Sequence, residues 1–248
     1  MTCDNQVQAS ACLQQIEKLE RSVMVEKQSA DASFLLSFLA KVQSVACAED
    51  WLVRAKALVV IGRIGDRSAA GELLAGVENI MEEPVCWRLQ FLDAWWQLPL
   101  SSAEKLAALG RILQNDKQSP VVWRAAIWCL GRMRGAEALR ALAEFITKPQ
   151  SGVILDDLLA DSWYRLAETV SEDELAAILG EFPQVRCWLG YRTWEDPLDF
   201  GFYPGSDYLL QQAMELGVSR KEFKRIYFYP RNKKNIEGNT GVRLNGQE

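Results

Sequence analysis

No histidine occurs anywhere in the 248 residues. Without imidazole there is no Ser-His-Asp or Cys-His arrangement, no H-E-x-x-H zinc site and no His-based proton shuttle. An enzyme built from this chain would have to run on carboxylates, Lys, Tyr or Cys alone. Asp156 and Asp157 are adjacent, so on a helix their side chains diverge and make a weak pair for acid/base work. The six cysteines, Cys3, Cys12, Cys47, Cys86, Cys129 and Cys187, are scattered with no C-x-x-C. Most fall in apolar helical patterns, where a free thiol packs as a small hydrophobe. No metal and no cofactor is expected. What the chain does carry is tryptophan and arginine, the residue types most enriched where proteins grip one another. They recur together in Pro84-Val85-Cys86-Trp87-Arg88 and Pro120-Val121-Val122-Trp123-Arg124, which match at four of five positions.

These strings begin 36 residues apart, at Pro84 and Pro120. A repeat of roughly 20–50 residues marks a solenoid, whose units are too small to bury their own apolar faces and stack on their neighbours. Pro is tolerated in a first helical turn because its missing N–H would have no partner there, so each Pro-Val reads as a helix start. Further helices are predicted at 5–28, 34–48 and from Asp50, then at 68–81, 102–114, 136–147, 154–170 and 172–181. The last opens with Ser171-x-x-Glu174 as a capping box. After Pro183 the character changes. Trp188, Tyr191, Trp194, Phe200, Phe202 and Tyr203 lie among Pro and Gly and suit an irregular cap over the open end of the stack. Short helices at 209–216 and 219–227 follow, then a polar tail from Arg231.

Hydrophobic content of 49% with 25% charged residues is that of a folded globular chain. The net charge of −5 is uneven: residues 220–248 hold eight Lys/Arg against three acids, leaving −10 for residues 1–219. An acidic body argues against sequence-independent nucleic-acid binding. The first residues lack the basic and apolar regions of a signal peptide, and no apolar run approaches a membrane span. A reduced, cytoplasmic protein is expected.

The stretch Trp51-Leu52-Val53-Arg54-Ala55-Lys56-Ala57-Leu58-Val59-Val60-Ile61-Gly62-Arg63-Ile64-Gly65-Asp66 resembles the HEAT-like repeats of the phycobilisome-lyase type, whose pattern is V-R-x-x-A-A-x-A-L-G-x-I-G-D. Val53, Arg54, Ala57, Gly62, Ile64, Gly65 and Asp66 fit it. A second match, Val122 to Met133, keeps Val122, Ala126, Leu130 and Gly131 but places Trp123 where the family has Arg. A middle copy has Trp95 in place of the Gly. The resemblance covers about residues 30–190 and implies an all-α, right-handed solenoid of helical hairpins over residues 1–190. A capping segment at 191–230 and a flexible tail at 231–248 complete the organisation.

In that family the repeated helix lines a concave face. Carried onto this chain, the outward positions are Ala55, Val59 and Arg63; Arg88, Leu92 and Trp96; Arg124, Trp128 and Arg132; Ala160, Tyr164 and Glu168. Each set is spaced i, i+4, i+8, one side of a helix. Of these, Arg63, Arg88, Leu92, Trp96, Arg124, Trp128, Arg132, Tyr164 and Glu168 are the candidate partner-binding residues. Trp51, Trp87, Trp95, Trp123 and Trp163 are expected in the core. The resemblance implies a non-enzymatic protein-binding role, in its sharpest form a bacterial immunity protein that neutralises a cognate toxin. A basic toxin domain would suit the acidic body. The alternatives it implies are a HEAT-like DNA glycosylase and an adaptor or bilin-lyase factor.

Overall fold

A computed structural model describes residues 11–18, 20, 48–64, 67–79, 81, 83–148, 156–185 and 206–227 of the chain. Residues 11–18 are helical. They are followed by α1 (Ala48–Ile64), a 3-10 turn (Arg67–Ala69), α2 (Ala70–Glu78), α3 (Val85–Gln97), α4 (Ser102–Gln114) and α5 (Pro120–Leu130). Then come α6 (Ala136–Ile146), α7 (Asp156–Ala167), α8 (Glu172–Glu181), α9 (Ser206–Glu215) and α10 (Arg220–Tyr227). Among the described residues there is no strand, and no helix is long and apolar enough to cross a membrane. The fold is all-α. The predicted helix at 34–48 (all but Ala48), the Gly65-Asp66 turn, the aromatic stretch 186–205 and the tail lie outside the described residues.

Local signals set the helix ends. Pro84 stands just outside α3 as its N-cap, and Pro120 occupies the first turn of α5. Ser171 and Glu174 form the predicted capping box of α8, and Ser101 with Glu104 forms another at α4. Each satisfies two amide hydrogens that the first helical turn leaves without partners. Ser219 and Glu222 repeat the arrangement at α10: the Glu222 amide donates to Ser219 Oγ (3.2 Å) and the Ser219 amide to Glu222 Oε2 (3.0 Å).

Odd-numbered helices pack on one another in sequence, α1 on α3, α3 on α5, α5 on α7. Even-numbered helices do the same, α2 on α4, α4 on α6, α6 on α8. The core lies between these two rows and includes Trp51, Trp87, Trp95, Trp123 and Trp163, all buried. The Trp123 indole donates across the rows to the Ile112 carbonyl (3.1 Å). Glycine permits the closest approaches within the odd row. A Cβ on Gly62 would lie 3.0 Å from the Ala94 carbonyl, and one on Gly131 would lie 2.6 Å from Ser162 Oγ and 3.0 Å from its Cα. These are the two glycines of the A-L-G-like pattern. On the outside of the even row, exposed side chains link neighbouring helices: Arg67 to Glu104, Arg111 to Glu78 (3.1 Å), Gln114 to Glu144 (3.4 Å) and Arg140 to Glu181 (3.2 Å). Such pairs contribute little singly.

Two segments from the chain's ends close on the first helices. Glu20 accepts from both Lys56 and Arg63, and Ile16 enters the core. At the other end α10 packs on α1 and α9 on α3, with Phe223 stacked on Trp51 (ring centroids 6.0 Å apart). The sequence reading sets these last helices at the far end of the stack. The structure sets them on its beginning, because buried Leu209, Ala213, Val218, Phe223 and Ile226 form an apolar side that α1 and α3 cover.

Candidate functional site

The candidate stripe runs along the odd row, and its accessibility changes from one helix to the next. On α1, Trp51 meets Phe223 of α10. Ala55 and Val59 continue that side one and two turns on, and both are buried. Arg63 ends the set, tied to Glu20. On α3 the outward assignment is corrected. Arg88 is 5% exposed and Leu92 0%, since α3 has α1, α2 and α5 around it and α9 over it. Arg88 Nη1 donates to Gln118 Oε1. The Gln118 amide donates on to the Val77 carbonyl (3.2 Å), and its Oε1 also accepts from the Ser119 amide (3.0 Å). Burial lowers the Arg88 pKa, while the Tyr208 hydroxyl of α9 nearby opposes the shift. Arg88 is thus a brace between helices, not a contact surface.

Trp96 closes the α3 set, half-buried, with Lys105 Nζ 4.5 Å from its ring centroid and bonded to its carbonyl (2.8 Å). Burial lowers the Lys105 pKa. The same device recurs one helix on. The Arg132 guanidinium lies 3.4 Å from the Trp128 ring centroid, and Trp128 is buried at 7% exposure. Both tryptophans expected to face outward therefore spend a ring face on a cation of the same chain. Arg132 itself is exposed at its edge. Covering of its inner face, and then the Arg165 guanidinium nearby, bring its pKa down to about 10, with Cys129 and Asp161 opposing; it remains charged at neutral pH. Arg165 is held by Asp161 (2.7 Å).

Arg124 is half-buried. Its Nε, like those of Arg54 and Arg88, is buried without a hydrogen-bond partner, and burial alone lowers its pKa. Arg132 and Glu168, just past α5 and α7, are therefore exposed, and Arg124 and Tyr164 on those helices are half-buried, as is Trp96 on α3. Arg63, Arg88 and Leu92 belong to internal packing.

The structure also gives roles to residues outside the candidate stripe. Arg54 Nη2 donates to both carboxylate oxygens of Glu83 (3.1 and 3.2 Å) while its guanidinium lies 4.6 Å from the Trp87 ring centroid. Gln118 was missed because nothing in the sequence distinguishes a bracing amide from a loop glutamine. Cys129 is fully enclosed, and burial raises its thiol pKa well above the ordinary value, which makes it inert as a nucleophile. Among the described residues, no group of three or more Cys, Asp or Glu side chains is placed to hold a metal ion. Compared with protein-family models, curated proteins and solved structures, the chain matches none.

Proposed function

We propose that this chain is a non-enzymatic, protein-binding α-solenoid of the HEAT-like type, and that it grips its partner along the odd-numbered helices. The two rows of helices, each packing on the next, support the solenoid reading, and the close approaches at Gly62 and Gly131 support the repeat type. In the sharpest form of the proposal it is a cytoplasmic immunity protein. Its acidic body would speed encounter with a basic toxin domain.

The observation that carries the reading is the contrast along the stripe. The chain covers the outward positions of α1 and α3 with its own helices α10 and α9, yet Arg124 of α5 and Tyr164 of α7 are only half-buried, and Arg132 and Glu168, just past those helices, are exposed. An accessible stretch of Arg, Tyr and Glu on an otherwise covered row is what partner recognition would use. The test is affinity capture of the full chain from its native host. One protein recovered in stoichiometric amount supports the proposal. Recovery of nucleic acid instead favours the glycosylase alternative, and recovery of a pigment-bearing protein the bilin-lyase one.

A further inference from the structure

We draw no further inference here: the strongest candidate, the open apolar groove on α9 lined by Leu210, Gln211, Met214 and Glu215, carries none, because nothing in the structure shows what covers it.

Discussion

Gly131 and Gly110 show what a single position contributes here. A methyl group on Gly131 would collide with Ser162 of the next odd helix at 2.6–3.0 Å, whereas one on Gly110 meets nothing within 4 Å. Gly131→Ala is therefore expected to destabilise the fold by about 1–3 kcal/mol, as forced overpacking does. Gly110→Ala, inside α4, is expected to stabilise it by about 0.5–1 kcal/mol through helix propensity. Urea unfolding of the two variants checks both signs. Glu20 makes a pH-dependent contribution. Burial alone would raise its pKa, but the hydrogen bonds and charges of Lys56 and Arg63 outweigh that and hold it below the ordinary carboxylate value. A carboxyl with a depressed folded-state pKa adds stability above its unfolded pKa, and that stability is lost as pH falls through the folded value. Stability measured from pH 7 downward should then fall more steeply for the wild type than for Glu20→Gln, which lacks the titrating group. Equal slopes would show that the Glu20 bridge contributes nothing. Gly131 was legible in the sequence as part of the A-L-G-like pattern. Glu20 was not, because a bridge to residues 36 and 43 positions away leaves no periodic trace.

At the scale of helices, the sequence was most legible where the determinants are local. The predicted bounds of 102–114 and 172–181 coincide with α4 and α8, since a serine cap with Glu three residues on states its own start. The outward faces of α1 and α3 were misread for the opposite reason. Periodicity identifies a side of a helix but not what covers it, and the cover on α1 comes from Phe223, more than 160 residues away. Phe223 is 1% exposed, so Phe223→Ala should cost about 3–5 kcal/mol of the stability of this contact. Because α10 is a single short helix holding Arg220 and Lys221 at its exposed start, its release has a direct readout. Limited trypsin digestion should cut the Phe223→Ala variant at 220–221 many times faster than the wild type. Unchanged protection would mean that α10 is held by contacts other than the Trp51 stack.

For the whole molecule, the odd-numbered helices pack on one another in turn, and α10 and α9 pack on the first two of them, α1 and α3. That division centres the candidate surface on α5, α7 and the residues just past them, where Arg124 and Tyr164 are half-buried and Arg132 and Glu168 exposed. The outer side of the even row offers a contrasting control. Its Arg111 is already paired with Glu78 at 3.1 Å, so neutralising it changes charge without touching the proposed surface. The most direct measurement is calorimetric affinity for the protein captured from the native host, compared across the wild type, Arg124→Met and Arg111→Gln. Binding through the odd row predicts at least tenfold weaker affinity for Arg124→Met, about 1.4 kcal/mol, and an Arg111→Gln affinity within twofold of the wild type. Wild-type affinity in Arg124→Met, or a loss confined to Arg111→Gln, would place the partner on the other face and contradict this account.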